Sequence, residues 1–170
     1  NLFIRVSSAE KNKDILANAP HQLKEDLAIT YHLITNMRGG ELSSLLIKND
    51  LLKQYGITAE QLHEDAMNSS PRIMPQEVSS IGTIIQEFGE QDPFMMSSEE
   101  NDMLQESGPA PSFYVVTNQK KLDGAGVIFY PGMMEYLGSL FWQDYFILPS
   151  SIHEMIVLPD NGENIVNELK

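Results

Sequence analysis

The densest grouping of reactive side-chain types in this sequence is Ser150-Ser151-Ile152-His153-Glu154. A hydroxyl, an imidazole and a carboxylate are the parts of an acyl-transfer site. The imidazole takes the hydroxyl proton, and the carboxylate holds the imidazole in the tautomer that can do so. Adjacency in the chain works against that use. In extended backbone, neighbouring side chains point to opposite faces, so His153 and Glu154 diverge. No G-x-S-x-G elbow is present. Pro149 stops a preceding strand, and serine hydroxyls commonly bond backbone N–H groups in turns. The segment reads first as a turn closed by its own side chains. Ser150, Ser151, His153 and Glu154 are kept as the candidate catalytic residues of the alternative, a hydrolase.

Other chemistry has less to build on. His21, His32, His63 and His153 are far apart, and no H-E-x-x-H motif occurs. His63 stands beside Glu64 and Asp65, but three successive helix positions do not share a face, so a solvated helix surface is expected there. Glu99, Glu100 and Asp102 lack the spacing of a calcium loop. Gly124-Ala125-Gly126 reads as leading into a strand, so no helix N-terminus would meet a phosphate, and the glycines imply a bend or a close backbone approach. No metal and no cofactor are expected. Tyr130, Tyr136, Phe141, Trp142, Tyr145 and Phe146 make the C-terminal region aromatic-rich. At helix and strand spacing such residues are mostly core, although aromatics are also enriched in binding hot spots.

The 170 residues carry a formal charge of −13 and contain no cysteine. Disulfides and thiol chemistry are therefore excluded. Residues 1–72 are nearly balanced, with 8 basic and 9 acidic side chains, whereas residues 73–119 hold 8 acidic side chains and no basic one. Such a surface repels phosphate, so neither nucleic acid nor an anionic membrane is an expected partner. A protein partner, and a basic one in particular, is compatible; the oligomeric state is not indicated. No apolar run approaches the ~20 residues of a membrane helix. Beginning at Asn1 rather than Met, the chain is expected to be part of a longer protein.

Periodicity supplies the scaffold. Leu2–Val6 reads as a strand, and Ser8 as the cap of a helix over Glu10–Ala19. Residues 26–36 fit a helix or a strand; their Ile and Thr content and the Gly39-Gly40 pair after them favour a strand and a hairpin, with Leu45-Leu46-Ile47 returning. Asn49 is expected to cap a helix ended by Gly56, and Thr58 to cap a second one, with Gln61 as its capping-box partner and Leu62 and Ala66 buried. Pro75 is expected to open a third helix with Val78, Ile81, Ile84, Ile85 and Phe88 on one face. Residues 90–111 lose all periodicity and read as an acidic loop or linker. Strands follow at 113–117 and 126–130, then a helix from Pro131 with Met134, Leu137, Leu140 and Phe141, then strands at 145–148 and 155–158. The sum is one α+β domain over 1–170, mostly antiparallel sheet with helices packed on one side and a possible division into two subdomains at the acidic loop.

Two segments, Tyr114–Asn118 with Gly124–Gly132 and Phe146–Glu154 with Val157-Leu158-Pro159, resemble an uncharacterised domain-of-unknown-function family of gut Firmicutes. Glu10–Lys13, Asp26–Ile29, Thr58–Ala66 and Ser70-Pro71 fit it too. The resemblance implies a cytoplasmic bacterial protein with an α+β fold and no established activity, so no catalytic residues carry over. The residues themselves lead to a non-enzymatic binding or protein-interaction module, with the hydrolase as the alternative.

Overall fold

The computed structural model describes residues 1–38, 41–84, 113–160 and 162. The elements run β1 (Leu2–Ser8), α1 (Lys13–Leu16), β2 (His21–Lys24), β3 (Leu27–Arg38), β4 (Glu41–Leu46), α2 (Asn49–Tyr55), α3 (Ala59–Ile73), β5 (Gln76–Ser80) and β6 (Tyr114–Asn118). A 3₁₀ segment (Gly124–Phe129), α4 (Met133–Phe141), β7 (Tyr145–Pro149) and β8 (Met155–Pro159) complete the chain. The expected acidic loop at 90–111 lies outside the described residues.

The strands form two four-stranded antiparallel sheets, so the fold is α+β. In sheet A the twelve-residue β3 is the spine. One flank carries β1, with Ile4 opposite Tyr31, and the other carries β2 and β4 end to end, with His21 opposite Thr30 and Leu46 opposite His32. Sheet B runs β5-β6-β8-β7.

Alternation along the strands decides which face is buried. On the inner face of sheet A, Ile4 and Val6 oppose Tyr31 and Ile29. They join Val116, Met155 and Val157 of sheet B, Leu62 and Ala66 of α3, and Leu137 of α4 in one apolar cluster. Between the sheets runs the buried 3₁₀ segment, which supplies Ala125, Val127 and Ile128. Its glycines permit that approach. A Cβ on Gly124 would stand 2.2 Å from Thr117 Oγ1 and 2.5 Å from the His153 carbonyl oxygen, and one on Gly126 would stand 3.4 Å from the Ile4 carbonyl oxygen.

Several expectations change. Residues 126–130 pair with no strand among the described residues: Gly126–Phe129 belong to the 3₁₀ segment and Tyr130 is its extended C-cap, because apolar β-branched residues suit a buried helix segment as well as a buried strand. The helix expected from Pro75 is β5 instead, paired with β6 through Val78 opposite Val116; cross-strand pairing there outweighs the helical period. Residues 81–84 are helical, while Ile85 and Phe88 lie outside the described residues. The helix at 10–19 shrinks to α1, since Ser8 closes a turn, accepting from the Lys11 N–H at 3.4 Å and from Asn12 Nδ2 at 2.8 Å through its carbonyl. Strand β2, only four residues long, is too short for periodicity to mark.

The other expectations hold locally. Strand β3 forms and pairs with β4, with Arg38 opposite Glu41, while the Gly39-Gly40 pair lies outside the described residues. Helix α2 ends on Gly56 at φ 63° as expected, but Asn49 is its first residue and not its cap: Lys48 is the N-cap and makes no side-chain cap bond. Thr58 caps α3, its hydroxyl accepting from the Gln61 N–H at 3.1 Å. The Gln61 side chain turns instead to Asp65, so the capping box is half made.

Candidate functional site

The Ser150–Glu154 segment connects β7 and β8, and its polar groups are spent on holding the turn. Ser150 Oγ donates to Glu154 Oε1 at 3.2 Å, Ser151 Oγ accepts from the His153 N–H at 3.0 Å, and the Ser151 N–H donates to the Glu154 carbonyl at 3.2 Å. The His153 ring faces neither hydroxyl: its Nδ1 accepts from the Asp123 backbone N–H at 3.0 Å. Thr117 Oγ1 donates to the His153 carbonyl at 2.7 Å, and the Ala125 N–H to the Ile152 carbonyl at 3.2 Å. The structure thus brings the four candidates into one turn but places no serine hydroxyl on the imidazole.

What the turn does position is Asp123. This residue sits at φ 51°, a left-handed conformation that Asp tolerates better than most side chains. Its buried carboxylate pairs with the Arg5 guanidinium on the outer face of sheet A. Arg5, Phe3 and Ser7 share that face with Thr30 and His32, by the same alternation that sends Ile4 and Tyr31 inward. Phe3, Leu16, Ala19 and Ala28 are buried outside the main cluster, Phe3 and Ala28 on this face.

Beside them lies a cleft of about 380 Å³. Ile15, Leu46 and Ile152 give it apolar walls, and Arg5, Thr30, His32, Ser44 and Asn12 give it polar points. His32 is only 5% exposed. Its Nε2 lies 3.0 Å from Thr30 Oγ1 and its Nδ1 lies 3.5 Å from Ser44 Oγ, while its ring packs 5.6 Å from that of Phe3. Burial, aided by the Arg5 guanidinium and opposed by the Asp123 carboxylate, pushes the imidazole down to about 4. His32 is therefore neutral at physiological pH, with both ring nitrogens beside hydroxyls. The Arg5 Nε is buried without a hydrogen-bond partner among the described residues. A buried guanidinium N–H left unpaired costs about 1–3 kcal/mol, so an acceptor placed against it would be favoured.

Sequence reasoning passed over this site. Its residues come from β1, α1, β3 and β4 and from the β7–β8 turn, and no short-range spacing links them. The one available signal was polar Arg5, Thr30 and His32 alternating with apolar neighbours in strands. His63 also departs from expectation: its Nδ1 shares a hydrogen bond with the buried Tyr31 hydroxyl at 2.9 Å, so the ring is not simply solvated. Desolvation, with help from Lys24, pushes His63 down, and burial pushes Tyr31 up to about 12. Among the described residues no three His, Asp or Glu side chains gather as a metal site would require, and no helix is long and apolar enough to cross a membrane.

Fold and cleft together define an α+β module with a partly polar hollow on the open face of one sheet. The chain belongs to a family described as "Family of unknown function (DUF5688)", whose model matches residues 1–170. No curated protein and no solved structure matches it.

Proposed function

We propose that this chain is a non-enzymatic binding module whose outer cleft on sheet A receives a small, amphipathic ligand bearing a carbonyl or carboxylate. The observation that carries this reading is the convergence of Arg5, Thr30, His32 and Ser44 on one apolar-walled hollow. Few polar points in an apolar concavity are the usual make-up of a ligand site. The apolar walls favour burial, and the hydroxyls and guanidinium N–H groups orient an acceptor. Because Asp123 offsets the Arg5 charge, the cleft does not demand a strongly anionic guest.

Binding is favoured over hydrolysis on proton-transfer grounds. A general base works best with a pKa near the operating pH. The His32 imidazole is far below it, and the His153 ring is turned to a backbone N–H rather than to a serine. The module is expected to leave a fluorophosphonate probe unreacted at Ser150 and Ser151. A library of small carboxylates and amides, followed by ¹H–¹⁵N correlation NMR, tests the site. Shifts clustered on Thr30, His32, Ser44 and Leu46 support the reading; fluorophosphonate labelling, or fragment shifts clustered away from the cleft, contradicts it.

A further inference from the structure

An exposed strand edge offers a row of unpaired N–H and C=O groups, and proteins ordinarily block it with charge, proline or a covering element. Three of the four sheet flanks described here follow that practice. On β1, Ser70 Oγ accepts from the Ile4 N–H at 3.0 Å and Ser69 Oγ donates to the Leu2 carbonyl. The β2 and β4 flank carries Lys24 and Glu41, and β5 carries Glu77, paired with Lys121 at 3.5 Å.

Strand β7 is blocked only at its last residue, Pro149, which shares the outward phase of Tyr145 and Ile147. Its sequence, Tyr145-Phe146-Ile147-Leu148-Pro149, has no charge, and it ends sheet B with β8 as its sole strand neighbour among the described residues. The Asp160 N–H donates to the Asp144 carbonyl at 2.8 Å. That bond sets the phase of the ladder, so Phe146 and Leu148 turn their backbone groups to β8 while Tyr145 and Ile147 turn theirs outward. Just upstream stands Trp142, the sole tryptophan of the chain and 92% exposed. It caps α4 at φ 56°, a position where glycine is the unstrained choice. Three residues of chain keep it within ~10 Å of the strand.

The charge in this stretch of the sequence has one sign. Between Lys121 and Lys170 the sequence contains no Lys or Arg, and Glu135, Asp144, Glu154 and Asp160 flank the strand and its turns. Glu135 is near enough to Tyr145 to raise its phenol further after burial has done so.

We infer that the outer edge of β7, which pairs with no strand among the described residues, docks an extended Lys- or Arg-bearing segment of another protein as an added strand, with Trp142 as anchor. Main-chain pairing supplies the register. The indole offers a face to an alkylammonium or guanidinium group, and the acids supply charge complementarity. A second copy of this chain would bring the same acids and meet repulsion.

Two fluorescein-labelled peptides, one alternating valine with lysine and one alternating valine with glutamate, test the inference on the whole chain. The lysine peptide is expected to shift Trp142 emission to the blue and to slow hydrogen exchange at the Tyr145 and Ile147 amides. Its affinity is expected to fall at least tenfold between low salt and ~1 M salt, where the screening length contracts to ~3 Å. Trp142→Gly, which relieves the left-handed backbone and so should fold, is expected to weaken anisotropy-detected binding about tenfold. Equal binding of both peptides, no binding of either, unaltered exchange at Tyr145 and Ile147, or a homodimer already protecting those amides overturns it. The cleft fragments bind elsewhere, so this result is independent of theirs.

Discussion

The Asp123 carboxylate and the Arg5 guanidinium meet across 118 residues of sequence, one held by the β7–β8 turn and the other projecting from β1. This pair ties the start of the 3₁₀ segment to sheet A, and Arg5 also lines the cleft. The Asp123 side chain is 5% exposed and that of Arg5 is 30% exposed. Removing one member of a buried pair is costly because the other charge remains desolvated. Asp123→Asn, which keeps the left-handed tolerance, is expected to cost about 2 kcal/mol, the partial exposure of Arg5 moderating the loss. Urea unfolding measures it, and a double-mutant cycle with Arg5→Met isolates the pair; no loss in Asp123→Asn contradicts the account.

His32 predicts a pH dependence. Its folded value, about 4, lies below the ordinary 6.5. The unfolded chain therefore binds more protons between those values, and stability rises with pH there. The contribution is fully present above about 6.5, is lost as pH falls toward 4, and changes no further below that. Its size is of order 3 kcal/mol. Denaturant midpoints for wild type and His32→Asn, compared from pH 4 to 7.5, should diverge as pH rises; parallel curves contradict the assignment.

Gly124 and Gly138 should respond in opposite directions to alanine. At Gly124 the new Cβ meets Thr117 Oγ1 and the His153 backbone, whereas at Gly138 nothing lies within 4 Å. Gly124→Ala is expected to cost about 3 kcal/mol or to prevent folding. Gly138→Ala, in the interior of α4, is expected to add about 0.5–1 kcal/mol. Thermal unfolding of the two variants decides it.

Ser70 is fully buried on α3 and serves a strand it does not belong to. Its hydroxyl donates to the Ala66 carbonyl at 2.6 Å while accepting from the Ile4 N–H at 3.0 Å. Ser70→Ala leaves that N–H unsatisfied, an expected loss of about 1–3 kcal/mol. Hydrogen exchange at the Ile4 amide should quicken in the variant; an unchanged rate argues that α3 does not seal this edge.

Local signals in the sequence mark much of the scaffold. Thr58 and Gly56 act through the residues immediately around them, so their effects show without the rest of the fold. The family resemblance carried by Tyr114–Asn118 and Phe146–Glu154 agrees with the family match over the whole chain. Where pairing partners are distant, the pattern misleads. Val78 keeps a helical period but lies in a strand because Val116 is opposite it, and Gly126–Tyr130 looks like a strand but is wedged between two sheets. The cleft was hidden for the same reason. Arg5, His32 and Ser44 meet only after β1, β3 and β4 pair, whereas the conspicuous Ser150–Glu154 run serves as the brace behind Asp123.

A crystal of the chain soaked in a mixture of small carboxylates and amides tests the central claim most directly. The account predicts a bound molecule against Arg5, Thr30, His32 and Ser44, with its acceptor atom within hydrogen-bond reach of the guanidinium or a hydroxyl. Bound molecules found only in other hollows, such as that between Pro71 and Tyr136, with the His32 cleft holding solvent alone, would contradict it.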